Sequence, residues 1–403
     1  MDQPGSPAVL AFTLALAAGL AVAVCLTVSF ASSGEAVTQE AVGQDPPYLS
    51  PDPETVTREE YTDPGIDVSA AAAADAQNVR GRLRAAAFTE RFDTTEEPAA
   101  LVASVTDELS ARAEALDEQH AQLLATYSDD EISTGRLLRE LVRQRAAAAA
   151  HRRLADRVEA AAIGSDAVNS SRAVREQSEA LDDEILALES PVTDALADGQ
   201  VDPRTTVYAQ AGTDTLVLAL TNRTHMQRQA TLRDQREKNA PNQFIQEAGE
   251  NENANALAIN RAEELYGGDN GAELSFSLPP FDATVYGVEG STIGGSFVGY
   301  LDGATTNIFH EQQTVTMSDV PVSETLTDTS GSLKLTVETT ITTGPMRVSV
   351  TSGGDPVEGA ELLVANQSVG TTDASGRTWV TQPLAGATVR VTVDEETVTV
   401  TLP

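Results

Sequence analysis

The stretch PVEGAELLVANQSVGTTDASGRTWVTQPLAGATVRVTV, residues 356–393, alternates apolar and polar residues and is interrupted by glycines. Alternation with a period of two is typical of strands that bury one face. The glycines provide turns, and Asp373–Gly376 forms a tight link between two strands. We expect Trp379 and Val389 to fill the space between two sheets. The pattern predicts a C-terminal β-sandwich over residues 345–403.

Three segments of this stretch carry a family resemblance: PVEGA at 356–360, GTTDASG at 370–376 and ATVRVTV at 387–393. Together they resemble the carboxypeptidase regulatory-like, or transthyretin-like, β-sandwich, which implies an Ig-like fold for this part of the chain. The resemblance implies a fold and no chemistry, because such modules occur on surface proteins, often beside an enzyme.

Residues 65–198 read as a helical bundle or coiled coil that belongs to a multi-domain α+β chain. Apolar residues recur in steps of three and four, which marks one face of a helix. We expect Thr95 to cap the second helix and Pro98 to lie in its first turn. Short breaks predict about four antiparallel helices in an elongated bundle. The stripe of the second helix is Val102, Val105, Leu109, Ala113, Leu116, His120, Leu123 and Tyr127.

Residues 199–344 have the pattern of an α+β domain. A hairpin is predicted around Ala211–Gly212, followed by a helix over 224–238, a second helix over 253–268 and further strands. The segments ALAINRAEELY and FVGYLDGATTNIF weakly resemble PepSY-type domains. That resemblance implies inhibition or folding assistance of a secreted partner, although Asn307 stands where the pattern has glycine.

The N-terminal residues 1–33 contain an apolar run, 8–31, without charge or proline. A helix of this length would span about 36 Å, which is enough to cross a bilayer. We therefore expect a membrane anchor, and the alternative is a signal peptide cleaved between Ala31 and Ser32. Lipidation of Cys25 is disfavoured because Val24 precedes it. Residues 34–64, rich in Pro, Asp and Thr, are predicted to be a disordered tether.

The formal net charge is −35, with 61 acidic residues against 26 basic ones, and lysine occurs only at Lys238 and Lys334. Such a composition resembles proteins of salt-loving archaea, since molar salt screens the self-repulsion. Without a basic face, nucleic acid and anionic membrane surfaces are unlikely partners. The sequons at Asn169, Asn222 and Asn366 are candidate N-glycosylation sites and fit an extracellular location.

No residue pattern predicts a catalytic, cofactor-binding or metal site. A single cysteine rules out an internal disulfide and a multi-thiolate metal site. His120 and His151 fall on apolar helix faces and are expected to be partly buried; a two-histidine metal site with Glu118 or Glu159 is the alternative. His225 and His310 are expected at the surface. The acidic clusters Asp129–Glu131 and Asp182–Glu184 are expected to be solvated helix ends and faces.

The combined features predict a membrane-anchored, extracellular structural or interaction protein of a halophilic archaeon, with no catalysis and no cofactor. Its partner is expected to be a protein or an envelope glycoprotein. One alternative is a regulatory module that acts on a secreted protein or protease. Another is a hydrolase with an unrecognised site, which predicts loss of activity when His120 or His151 is changed to alanine.

Overall fold

The computed structural model describes eleven stretches of the chain and part of the segment 174–185. The stretches are 49–64, 68–165, 186–198, 201, 205–248, 253–266, 273–277, 284–292, 294–341, 343–384 and 386–403. The predicted anchor 1–33, with Cys25, Ala31 and Ser32, and the sequon at Asn169 lie outside them. Among the described residues, no helix is both long enough and apolar enough to cross a membrane.

The N-terminal part of the fold is helical, with α1 (Val68–Thr94), α2 (Pro98–Ser128), α3 (Thr134–Ile163) and a short α4 (Pro191–Ala197). The stripe of α2 is buried as predicted, except that Leu124 takes the place of Leu123. The predicted N-cap at Thr95 is wrong. The helix begins at Pro98 with Glu97 in the N-cap position, so the hydrogen bond that the Thr95 hydroxyl accepts from the Glu97 amide at 3.1 Å lies before the first turn. Most of the predicted fourth helix lies outside the described residues.

An eight-stranded antiparallel sheet packs against the helices through one of its faces. Its order is β1-β2-β3-β4-β8-β7-β6-β5. Leu216 and Leu218 of β3 lie in one cluster with Leu124 and Leu137 of the helices. The strands are β1 (Arg58–Thr62), β2 (Thr206–Ala211), β3 (Thr215–Thr221), β4 (His225–Leu232), β5 (Glu273–Ser277), β6 (Val285–Thr292), β7 (Gly295–Asp302) and β8 (Ile308–Thr316).

The tether prediction is wrong for the described part of 34–64. Residues 58–62 form the edge strand β1, which pairs with β2, and Tyr61 is buried against Tyr208 with ring centroids 5.1 Å apart. The side chain of Gln367 covers the free edge of β1, since it accepts from the Tyr61 amide and donates to the Glu59 carbonyl. Composition predicts flexibility here, but partners more than 140 residues away supply the order.

The helix predicted over 224–238 is also wrong, because residues 225–232 form strand β4 between β3 and β8. A strand this polar is unexpected in the middle of a sheet. It is stable because its polar side chains have buried partners: Thr231 contacts His310, and Arg228 donates to Thr343 at 2.9 Å. Tertiary contacts have overridden local propensity. By contrast, the predicted hairpin at Ala211–Gly212 is confirmed.

The other face of the sheet is covered by two short helices and by the C-terminal sandwich. The helices are α5 (Gln243–Ala248) and α6 (Ala254–Tyr266), the second of which was predicted. Tyr266 of α6 stacks on Phe297 of β7 at 4.5 Å. The sandwich shares a continuous hydrophobic core with β2, β3 and β4.

The C-terminal sandwich has two antiparallel sheets. One has the order β12-β11-β10-β9, with β15 paired to β11, and the other has the order β14-β13-β16-β17. It begins at residue 324, not 345, because β10 pairs with β11 through Val337 and Val348. Its strands are β9 (Glu324–Ser330), β10 (Leu333–Thr339), β11 (Pro345–Ser352), β12 (Asp355–Pro356), β13 (Glu361–Val364), β14 (Gln367–Thr371), β15 (Arg377–Thr381), β16 (Thr388–Val393) and β17 (Glu396–Thr401).

A buried ion pair lies on the sandwich side of the eight-stranded sheet. Arg228 of β4 and Glu311 of β8 are fully buried, with Nη1 and Oε1 3.7 Å apart. Glu311 also accepts hydrogen bonds from the Tyr266 hydroxyl and the Leu49 amide, each at 2.7 Å. Arg228 donates to the Leu49 carbonyl at 2.7 Å. The two side chains therefore bind the backbone N–H and C=O groups of Leu49.

Candidate functional site

A cleft of about 590 Å³ separates the sandwich from the end of the sheet where β3 turns into β4. This volume falls within the range of small-ligand sites, roughly 300–1,000 Å³. Eight of its nineteen lining residues are serine or threonine. The remaining polar residues include three arginines and one histidine, and the chain's one tryptophan, Trp379, also lines it.

The position of Trp379 corrects the prediction that it fills the sandwich core. Along β15 the inward position belongs to Val380, which is fully buried, so Trp379 points to the opposite face. Val389 does lie in the core. Arg347, the cross-strand neighbour of Trp379 on β11, places its guanidinium carbon 5.5 Å from the ring centroid. Glu338 of β10 holds Arg347 with two hydrogen bonds and thereby fixes the platform.

The turn before β15 positions a second arginine beside Trp379. The Asp373 carboxylate accepts from the Ser375 amide at 2.8 Å and from the Arg377 amide at 3.2 Å. Burial opposes ionisation of Asp373, but the hydrogen bonds from Ser375 and Arg377 outweigh it and lower its pKa. Arg377 is exposed, and no described carboxylate forms an ion pair with it. Its charge is available to a ligand.

On the opposite wall, the β3–β4 turn presents Asn222, Arg223 and His225. The side-chain Oδ1 of Asn222 accepts from the backbone amides of Thr224 and His225, both at 2.9 Å, which fixes the turn. Arg223 is exposed and has no ion pair with a described residue. The sequon at Asn222 therefore lies on the rim of the cleft.

The groups in the cleft suit binding better than catalysis. The one close hydroxyl–imidazole pair is Thr224 Oγ1 and His225 Nδ1 at 2.9 Å. The Thr224 hydroxyl already donates to Asn222 at 3.2 Å, so its proton serves the turn. Arginines, hydroxyls and an indole ring can hold an anionic or hydroxylated ligand through hydrogen bonds and stacking.

His120 and His151 are both buried, and the alternative of a shared metal site does not fit their positions. His120 Nδ1 lies 3.1 Å from Gln144 Oε1 on α3, and His151 follows seven residues later, roughly 10 Å further along that helix. Glu118 is exposed, and Glu159 pairs with Arg175. The part of the chain that the structure describes holds no group of three or more His, Cys, Asp or Glu residues that could bind a metal ion.

His310 was expected at the surface but is fully buried in the sheet, whereas His225 is exposed as predicted. The Nδ1 atom of His310 lies 2.7 Å from the Thr231 hydroxyl, and the imidazole ring packs at a tilt against the ring of Tyr300. Burial, together with the neighbouring His120, lowers the pKa of His310 to about 3. The bundle and the sheet therefore meet at a pair of buried, neutral imidazoles that sequence spacing does not reveal.

Stability should fall as the pH drops below about 6.5, the ordinary pKa of histidine. Burial is the main reason why the pKa values of His120 and His151 are lowered to about 4. The unfolded chain then takes up protons that the folded chain does not, so each histidine costs up to about 1.4 kcal/mol per pH unit. Denaturant unfolding between about pH 7 and about pH 5 measures this slope. His310→Gln should make this slope less steep, while His120 and His151 still contribute to it; a flat wild-type profile contradicts the prediction.

The other predicted surface features have simple surroundings. Asn366 is exposed in a two-residue turn with Ala365, and both residues have positive φ, as a tight hairpin requires. Asp130, in the cluster Asp129–Glu131, pairs with Arg58 at 3.0 Å and is largely exposed. In the second cluster Asp182 and Glu184 lie outside the described residues, and the Asp183 carbonyl accepts from Arg236.

Comparison with known families finds three consecutive matches. Residues 3–202 match a domain of unknown function (DUF7096), and residues 207–321 match a family of unknown function (DUF7094). Residues 324–400 match an archaeal fibronectin-III type-like domain. No curated protein and no solved structure gives a significant match. The C-terminal part is thus similar to an archaeal Ig-like sandwich that begins at β9, and the finer transthyretin-like and PepSY-like resemblances gain no support.

Proposed function

We propose that this chain is a membrane-attached, extracellular structural or interaction protein of a halophilic archaeon that binds its partner in the cleft around Trp379. The observation that carries the proposal is the composition of that cleft. It offers a fixed aromatic platform, two arginines without described ion pairs and many hydroxyl groups, and it lacks an activated nucleophile.

An envelope glycoprotein is the partner class that fits best. Serine and threonine hydroxyls exchange hydrogen bonds with sugar hydroxyls, and an indole ring stacks on the apolar face of a sugar ring. The cleft has few apolar lining residues, Val369 and Met317 among them, to receive the side chains of a peptide.

The proposals about the cellular location and the halophilic source are supported by the sequence and by one family match. The apolar run 8–31 supports attachment to a membrane, and the sequons support an exterior position. The acidic composition and the similarity of 324–400 to an archaeal sandwich support the source. No described contact favours the regulatory or the hydrolase alternative specifically.

A single engineered cysteine tests both location and binding. In the full chain with Cys25→Ser, we place Ser375→Cys in the cleft and Thr325→Cys on the exposed strand β9. A membrane-impermeant maleimide should label both variants in intact cells. A photo-crosslinker attached to the cysteine should capture a glycoprotein from position 375 and not from position 325.

Two outcomes would count against the proposal. Labelling that requires lysis would place the sandwich inside the cell. Equal capture from both positions, or none from position 375, would mean that the cleft does not hold the partner. Trp379→Ala should abolish capture from position 375 while leaving the labelling unchanged.

A further inference from the structure

A second cavity, about 300 Å³ in volume, lies in the groove between α1, α2 and α3, far from the cleft in sequence. Arg80 and Arg84 of α1, Arg112 of α2 and His151 of α3 line it. The lining also contains the small residues Gly81, Ala147 and Ala150, which leave space between the helices. At Gly81 an added Cβ would lie 2.6 Å from the Cβ of Ala150, so the two helices approach closely beside the cavity.

The charge of this groove is opposite to that of the protein. The chain as a whole carries −35, yet the lining of the cavity holds three arginines and no carboxylate. Glu108 pairs with Arg112 one helical turn away. Arg80 and Arg84 have no ion pair with a described residue. Glu108 balances the charge of Arg112, whereas no described carboxylate balances Arg80 and Arg84, so these two charges attract an anion to the cavity.

The imidazole of His151 also lines this cavity. His151 is 8% exposed, and its Nδ1 has no hydrogen-bond partner among the described residues. A buried polar atom in this condition costs free energy that a ligand or an ordered water would recover. Burial and the charges of Arg112 and Arg84 keep this imidazole neutral, with its pKa lowered to about 4. One ring nitrogen of the neutral imidazole carries a proton that it can donate.

We propose that this groove binds a phosphate-type oxyanion, either free phosphate or the phosphate of a lipid headgroup. Guanidinium groups match the oxygens of such an anion with paired, charge-assisted hydrogen bonds. Arg80, Arg84 and Arg112 supply the charge, and His151 supplies a neutral donor from the floor. Because the anion contacts all three long helices, it ties α1 to α2 and α3.

Binding of inorganic phosphate to the full chain tests the proposal, with ³¹P line broadening as the readout at constant chloride. We expect saturable binding that weakens about tenfold or more in Arg84→Gln and in Arg112→Gln, because each removes a charge-assisted hydrogen bond. His151→Asn should weaken it as well. The matched control is Arg157→Gln, an exposed arginine of α3, which should bind as the wild type does.

Vesicles distinguish the two sources of the anion. Stronger binding of the full chain to vesicles that contain phosphatidic acid than to phosphatidylcholine vesicles, lost in Arg84→Gln, assigns the headgroup; phosphate binding without that preference assigns the free ion. Absence of saturable phosphate binding, or binding that Arg84→Gln and Arg112→Gln leave unchanged, overturns the proposal. Circular dichroism of Arg84→Gln confirms folding, since its side chain is exposed.

Discussion

Glu311→Leu should lower the free energy of unfolding by about 3–5 kcal/mol, because it leaves the guanidinium of Arg228 buried without its counter-charge. Both side chains are fully buried. The substitution also removes the acceptor of the hydrogen bonds that Tyr266, Leu49 and Gln313 donate. Burial raises the pKa of Glu311 although Arg228 faces it, because desolvation disfavours the charged carboxylate. Denaturant unfolding at a fixed molar salt concentration measures the change.

Two further variants isolate the cause. Arg228→Met combined with Glu311→Leu should recover most of the loss, since it removes both charges and keeps the volume. Glu264→Leu disrupts the exposed pair with Arg261 at 3.0 Å and should cost less than about 1 kcal/mol. If Glu311→Leu is as stable as Glu264→Leu, the charge of Glu311 is not needed in the folded state.

Lowering the salt concentration below roughly 1 M should unfold the helical part of the protein, because the Debye length then exceeds about 3 Å and like charges oppose compaction. The 61 acidic residues greatly outnumber the 26 basic ones. The core of the helices is rich in alanine, which gives limited hydrophobic stabilisation; Ala113, Ala148, Ala155 and Ala162 are all buried in it. Far-UV circular dichroism during a salt titration measures the loss of helix.

The control for the salt titration is the fluorescence of Trp379 in the same chain, because the one tryptophan lies in the sandwich. Its two sheets bury a core dominated by valine and leucine. It should therefore tolerate lower salt than the helices do. Unchanged helical signal in dilute buffer would contradict the halophilic interpretation of the composition.

Local patterns predicted the elements whose order comes from their own residues. The hairpin of β2 and β3, the helices α2 and α3 and the alternation in the sandwich could be read directly. The pattern failed where order comes from distant partners. Strand β1 depends on β2 and on Gln367, and strand β4 buries Arg228 only because Glu311 and Thr343 meet it.

The cleft could not be predicted, because its walls come from separate parts of the chain. Asp63, Thr205, Asn222 and Thr316 belong to the sheet side, and Trp379 belongs to the sandwich. A one-residue error in the inward register of β15 moved Trp379 into the predicted core, since side chains alternate between faces. The groove at His151 was missed for a similar reason: Arg80, Arg84 and Arg112 line one cavity only after α1 and α2 have each packed on α3.

The binding of the Leu49 backbone by Arg228 and Glu311 affects how the fold bears tension. Tension applied to the chain upstream of residue 49 would first strain two hydrogen bonds: the one that Arg228 donates to the Leu49 carbonyl and the one that the Leu49 amide donates to Glu311. These side chains project from β4 and β8, the two central strands of the eight-stranded sheet. The pull is thus passed to the middle of the sheet before it reaches the edge strand β1, so that β1 is shielded from peeling.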